Sequence, residues 1–177
     1  MDTNSQSDSK LIERYLENEI SAFDSLYERY KRPLYSYLNK LLPGQKQLID
    51  DIFQKTWIKV IDQLRTYKHN GKFFSWIVRI SHNCAIDYFR KHAREQNEDF
   101  NERSDIFADS DSESWRQIDN TDLAKDIENC IGRLPFEQKT VFLCRQQDIG
   151  FKEIAEIQKC SINTVLGRMH YALRNLR

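Results

Sequence analysis

The sequence predicts an all-α protein built as two small helical domains joined by an acidic linker, the second domain a four-helix helix-turn-helix module. Apolar residues recur at helical spacing through both halves. Five Gly and three Pro in 177 residues leave helices few interruptions. Between the halves, residues 95–122 lose that periodicity and turn strongly acidic. The resulting boundaries are 1–94 for the N-terminal domain, 95–122 for the linker and 123–177 for the C-terminal domain. The formal net charge of zero averages three unlike segments: residues 1–94 hold 16 Lys+Arg against 11 Asp+Glu, residues 95–122 hold 2 against 10, and residues 123–177 hold 9 against 6. Phosphate contact depends on local rather than total charge, so both basic blocks are candidates for DNA binding.

After a polar start, Leu11, Ile12, Tyr15 and Leu16 predict a short amphipathic helix. From Ile20 onward Phe23, Leu26, Tyr27, Tyr30, Leu34, Tyr37, Leu38 and Leu41 keep to one side for about six turns. Pro33 interrupts them, which predicts either a kink or two helices in sequence. Leu42 to Gln45, LPGQ, is a stop. In the following IDDIFQKTWIKVIDQLRTY, Asp50 and Asp51 suit the N-terminal end of a helix dipole. Ile52, Phe53, Trp57, Val60, Ile61 and Leu64 form its buried stripe, and Asp51, Gln54, Lys55, Ile58 and Asp62 its outward set, which by itself reads as a solvated face. Lys68 to Lys72 is a polar loop. Phe73 to Arg94 is aromatic and basic together: Phe73, Trp76, Ile77, Ile80, Cys84, Tyr88 and Phe89 at core spacing, with Arg79, His82, Asn83, Arg90, Lys91 and Arg94 polar or cationic. Such a helix suits either an ordinary core or a single-strand DNA contact through charge and stacking.

At about 3.3 Å per residue the acidic strip reaches roughly 90 Å. That exceeds two turns of B-DNA at about 34 to 36 Å each, so the two blocks could touch separate sites on one duplex. Phe100, Ile106, Phe107 and Trp115 are unusual for a spacer and suit docking into a partner's groove. Beyond it, residues 123–133 predict a short helix and Pro135 opens another, through Phe136, Val141, Phe142 and Leu143 to Gln147. Asp148-Ile149-Gly150 then turns into FKEIAEIQKCSINTVLGRMHYALRNLR. There Phe151, Ile154, Ala155 and Ile157 mark a helix of about two turns, Ser161 supplies an N-cap oxygen, and Val165, Leu166, Met169, Ala172, Leu173 and Leu176 give the next helix an apolar stripe. Asn163, Thr164, Gly167, Arg168, His170, Tyr171 and Arg174 lie mainly elsewhere around its axis. One face packs and the other can enter a major groove, with Arg168 in reach of a guanine edge or a phosphate. An ordinary helical hairpin within a core has the same local pattern.

No stretch approaches the roughly 18 apolar residues of a membrane span, and the N-terminus lacks a signal-peptide layout, so a cytoplasmic protein without membrane insertion is expected. Cys84, Cys130, Cys144 and Cys160 are far apart with no C-x-x-C pair and read as small buried hydrophobes. His69, His82, His92 and His170 do not group with carboxylates or cysteines at ligand or triad spacing, and no Gly-rich phosphate loop occurs. No metal, cofactor or enzymatic activity is expected.

Three stretches in this order, DDIFQKTW (50–57), FFSWIVRISHNCAIDYFR (73–90) and LPFEQKTVFLCRQQDIGFKEIAEIQKCSINTVLGRM (134–169), resemble the extracytoplasmic-function sigma factors of bacterial RNA polymerase. The resemblance runs from about Ile20 to Arg177 apart from the linker. It implies that Asp51, Phe53, Gln54 and Trp57 bind the clamp helices of the largest subunit of core polymerase, Trp57 standing where the family usually has Phe. It implies minus-ten contacts from Asn70, Gly71 and Lys72, whose loop captures a flipped base in similar proteins, and from Asn83, with Arg79, Arg90 and Lys91 along the path of backbone phosphates. It implies minus-thirty-five contacts from Ser161, Asn163, Thr164, Gly167, Arg168, His170 and Tyr171. Leu166 replaces a basic residue common in the family and Gly167 a Ser, which removes part of the usual contact. The implied partners are core RNA polymerase and promoter DNA. Anti-sigma factors are common regulators in the family, though no residue names one here.

The function expected is recruitment of polymerase to promoters and help in melting them. Extruding a base costs a few kcal/mol, offset by a fitted pocket and stacking, so no ATP is required. Two other classes share parts of the pattern: a helix-turn-helix regulator acting without core polymerase, and a helical interaction protein whose hairpin is only structural.

Overall fold

The computed structural model describes residues 6–95 and 122–176, and among these residues the regular elements are eight helices. In chain order they are α1 (Asp8–Leu16), α2 (Ile20–Leu41), α3 (Lys46–Leu64), α4 (Phe73–Glu95), α5 (Asp122–Gly132), α6 (Phe136–Gln146), α7 (Phe151–Gln158) and α8 (Ile162–Asn175). The linker expected over 95–122, with Phe100, Ile106, Phe107 and Trp115, lies almost wholly outside the described residues.

In the N-terminal half, α1 packs on α2, α2 on α3 and α3 on α4. The α2 helix runs through Pro33 as one element instead of dividing there. Its stripe of Leu26, Leu34, Tyr37, Leu38 and Leu41 is buried on both sides of the proline. Keeping that stripe in one register offsets the lost hydrogen bond. The α3 helix begins at Lys46, a turn earlier than the acidic pair suggests, because Leu48 and Ile49 extend its buried stripe. Asp50 and Asp51 therefore sit in the second turn. There Asp50 accepts a hydrogen bond from the Tyr35 hydroxyl at 2.7 Å, and Asp51 one from Lys55 at 2.6 Å. Ile61, expected in the core, is 42% exposed on the flank of the helix.

The C-terminal half folds α6, α7 and α8 against one another. Lys139 is 2% exposed and donates to the Gly132 carbonyl at the end of α5 at 2.8 Å. Burial lowers its pKa to about 8. The two halves do not stand apart. The α2 helix packs on α5 and α6, and α4 packs on α7. One continuous apolar core runs from Leu11 to Val165.

At the seam the ring of Phe136 stacks on His82 at 5.5 Å and meets Phe89 edge-on at 5.5 Å. Tyr37 and Cys144 touch across it with oxygen and sulfur 4.0 Å apart. His82, grouped by the sequence with the polar and cationic residues of its helix, is 3% exposed because the face it occupies is covered by the C-terminal half. Of the cysteines, Cys84 and Cys144 are buried, Cys160 is half-buried and Cys130 is exposed, against the expectation of four buried thiols.

Burial, with the positive charges of Arg168 and Lys159 adding to it, lowers the His82 pKa from 6.5 to about 4. A depressed histidine binds its proton in the unfolded chain first, so its contribution to stability is complete above about pH 6.5 and declines as pH falls toward 4. Urea unfolding at pH 7.5, 6 and 4.5 should show the wild type losing stability relative to His82→Phe across that window, by up to about 3 kcal/mol. Parallel profiles would show that the imidazole is not held neutral at the seam.

Candidate nucleic-acid interface

The outward face of α3 carries Asp51, Gln54, Lys55, Ile58 and Asp62, with Ile58 52% exposed. Beside it Phe53 is half-buried, its ring 5.4 Å from Tyr35 and 6.3 Å from Trp57. Trp57 is 5% exposed, under Phe23 at 6.0 Å and Tyr27 at 4.9 Å. These four residues thus divide by depth. Asp51 and Gln54 reach the surface, Phe53 reaches it with one edge, and Trp57 forms the aromatic floor that holds Phe53 in place.

The loop between α3 and α4 is shaped by aromatic packing at its base: Tyr67 lies 4.4 Å from Trp76, and Phe73 lies 5.5 Å from both. Gly71 has φ +78, a left-handed conformation that costs other residues strain, while nothing lies within 4 Å of where a side chain would start. Asn70, Gly71 and Lys72 are exposed. Lys72 forms an ion pair with Glu153 of α7. Farther along α4, Arg79, Arg90 and Lys91 are exposed and Asn83 is half-buried. Lys91 lies 3.9 Å from Glu95.

The turn between α7 and α8 has the geometry of a tight helical hairpin. Lys159 takes the left-handed conformation at the end of α7, and the Cys160 amide donates to the Ala155 carbonyl at 3.0 Å. Ser161 caps α8, its hydroxyl accepting from the Thr164 amide at 3.1 Å. Ala155, 7% exposed, lets the two helices meet closely. Val165 and Ala172 are buried and Met169 and Leu176 pack partly against the core. Leu166 and Leu173, expected in that stripe, are 44% and 47% exposed. At 100° per residue they fall about a quarter-turn or more from Val165 and Ala172, past the edge of a contact face already filled by α6 and α7.

Ser161, Asn163, Thr164, His170 and Tyr171 are exposed, and Gly167 is half-exposed with no atom within 4 Å of where a methyl group would sit. The Arg174 guanidinium lies 4.9 Å over the Tyr171 ring, a cation–aromatic pair that sequence reasoning places on the polar face without assigning it a contact. Arg168 points elsewhere. Its guanidinium donates to Gln158 Oε1 at 2.7 Å and lies 3.2 Å from Glu137 Oε2, while Gln158 donates to the Glu137 carbonyl at 2.8 Å. Burial raises the Glu137 carboxyl, and Arg168 opposes that rise. The three residues tie α6, α7 and α8 together. Nothing in helical periodicity distinguishes this inward arginine from an outward one, since its partner Glu137 is thirty-one positions away.

Residues 26–95 match the family model for sigma-70 region 2. The chain is 26% identical over 179 residues to the ECF RNA polymerase sigma-E factor of Haemophilus influenzae, covering 93% of this chain and 90% of the relative. The Escherichia coli K12 protein of the same name is 24% identical, with the same coverage. Over nearly its whole length the chain is similar to extracytoplasmic-function sigma factors. The fold is shared with sigma factor RpoE of Bartonella quintana, solved in complex with the anti-sigma factor NepR, at TM-score 0.67 and 20% identity over 87% of this chain and 93% of that one. It is shared also with CnrH, solved with the cytosolic domain of CnrY, at TM-score 0.63 and 20% identity over 97% and 95%. The region 2 match ends with α4, so the seam at His82 and Phe89 is made by the matched segment itself against the C-terminal half. No helix among the described residues is long and apolar enough to cross a membrane.

Two substitutions on α8 should separate in their effects. Gly167→Ala should raise the thermal midpoint, by the equivalent of about 1 kcal/mol, because nothing in the free protein requires the missing methyl. Arg168→Ala should lower the midpoint and weaken binding to specific and random duplex alike, measured by calorimetry and fluorescence anisotropy. A loss of about 1 to 3 kcal/mol confined to one specific sequence would instead make Arg168 a base reader.

Proposed function

We propose that this chain is a sigma factor that binds core RNA polymerase through α3, reads duplex DNA upstream with α8 and holds the melted strand downstream with the α3–α4 loop and α4, all in the cytoplasm. The observation that carries the reading is the match of residues 26–95 to sigma-70 region 2, on a body where Asp51 and Gln54 stand at the surface around the edge of Phe53. In this assignment Asp51, Gln54 and Phe53 touch the clamp helices of the largest subunit, and Trp57 positions Phe53 from beneath. Asn70, Gly71 and Lys72 receive an extruded base, with Asn83 beside them, and Arg79, Arg90 and Lys91 follow the phosphates of the strand. Ser161, Asn163, Thr164, Gly167, His170 and Tyr171 face the minus-thirty-five duplex, joined by Arg174. Arg168 supports that face from behind by fixing the crossing of α7 and α8.

The division into a domain of residues 1–94, a linker of 95–122 and a domain of 123–177 is part of the same proposal. Packed as they are in the free chain, the two bodies must separate before they can engage one promoter at two places. The energy for that step comes from binding to polymerase, since the chain carries no chemistry of its own in this reading. An anti-sigma protein would act by holding the same faces shut. Both solved relatives described above were captured with a partner of that kind or with a partner's cytosolic domain.

In a run-off assay with core polymerase and a promoter library, wild-type protein should yield discrete transcripts. Asp51→Arg should weaken core binding at least tenfold and remove them, while leaving binding of duplex DNA unchanged. Absence of any promoter-dependent transcript with the wild type would reject the reading. Sequence-specific duplex binding that is indifferent to polymerase would favour a helix-turn-helix regulator.

A further inference from the structure

The contact between Lys72 and Glu153 joins the loop before α4 to the first turn of α7, across the seam between the halves. It sits at one end of an open cleft. One wall is Tyr30, Gly71, Lys72 and Phe74, and the other is the turn from Gln147 to Gly150 with Glu153. Tyr30 and Phe74 stack at 5.7 Å on the first wall, the kind of surface on which a nucleic-acid base can lie. The second wall carries two acidic residues, Asp148 and Glu153. A phosphate backbone entering the cleft meets repulsion there, and the lysine on the first wall that would attract it is engaged.

The polar face of α8 is in a different position, with Asn163, Thr164, His170 and Tyr171 all exposed. Closure is therefore unequal: it engages one cation of the single-strand site, where Asn70, Gly71, Arg79, Arg90 and Lys91 stay exposed, and leaves the duplex-reading face untouched.

Gly150 is part of the device. A methyl group at this position would overlap the Glu153 carboxylate as it is placed, although the backbone, at φ −69 and ψ 155, is ordinary for any residue. The missing side chain lets Glu153 fold back along the start of α7 toward Lys72.

Resting on the sigma-factor reading, we propose that the Lys72–Glu153 pair is an intramolecular latch in which Glu153 occupies the cation of the loop assigned to the extruded base, so that the free chain takes single-stranded DNA less readily than the released one while its duplex binding is unaffected. Glu153 acts as a positioning residue and strand mimic, and the apolar seam around Phe136 supplies most of the grip. An exposed ion pair shifts such an equilibrium only severalfold, which suits a step that polymerase must reverse.

The test uses the full-length chain with a fluorescein-labelled single strand of random sequence, the matching duplex, and amide hydrogen exchange of residues 68–72. Glu153→Gln and Gly150→Ala should each speed exchange in that loop and tighten single-strand binding about two- to fivefold, with duplex binding unchanged. Glu156→Gln, which makes the same charge change on an exposed site of α7, should do neither. The latch is overturned if Glu156→Gln matches Glu153→Gln, if exchange rises across α7 but not in the loop, or if the loop is unaffected by both variants. Run-off transcription separates this from the larger reading: a failed latch leaves wild-type transcription intact, whereas a chain that supports no transcription would still report the loop's closure by exchange.

Discussion

The ring of Phe136 lies between His82 and Phe89 of α4, so the first residue of a C-terminal helix belongs to the core of the N-terminal half. Phe136, His82 and Phe89 are all buried. Burial of these three rings requires α4 to have two apolar faces, one for α3 and one for the second half. That requirement explains the composition of the helix, where Ile77, Val78, Ile80, Ser81, His82, Cys84, Ala85 and Phe89 are all buried and little of the circumference is left for charge. Arg79 and Asp87 are exposed along its length, and Arg90, Lys91, His92, Arg94 and Glu95 at its C-terminal end.

A seam of this kind sets the functional problem. The same contact that satisfies the apolar surface of α4 and α2 brings α7 against the loop at Lys72, so in the proposed function the free chain is folded against part of the surface assigned to DNA. Releasing it exposes aromatic and aliphatic area to water at roughly 25 cal/mol per Å². A partner that binds the N-terminal half can supply that energy. His82 shows how finely the seam is adjusted: a stacked neutral imidazole fits where a charged one would not.

Inside the C-terminal half a polar network does the corresponding work. Glu137, Gln158 and Arg168 come from three helices and fix the angle at which α8 is presented. Partly buried, the Arg168 charge is compensated by a carboxylate and an amide, which makes the arrangement specific as well as stable. Beyond the Ser161 cap, the polar face of α8 does not carry the helix crossing, and Gly167 can stay a glycine at a site with room for a methyl group.

Much of this was legible along the chain. The helical class, the start of α8 at the Ser161 cap, the turn at Gly71 and the sigma-type order of motifs are all written in residues a few positions apart, where spacing and local hydrogen bonding decide the outcome. Periodicity also separated Asp51 and Gln54 from the core of α3. It could not tell that Arg168 turns inward or that Leu166 and Leu173 stay outside, because both depend on which neighbour fills the adjoining groove. Nor could it see that His82 is buried or that Lys72 meets Glu153, eighty-one positions away. Contacts of that separation arise only when two amphipathic surfaces are brought together. An amphipathic pattern declares that a face must be covered, and tertiary packing alone chooses what covers it.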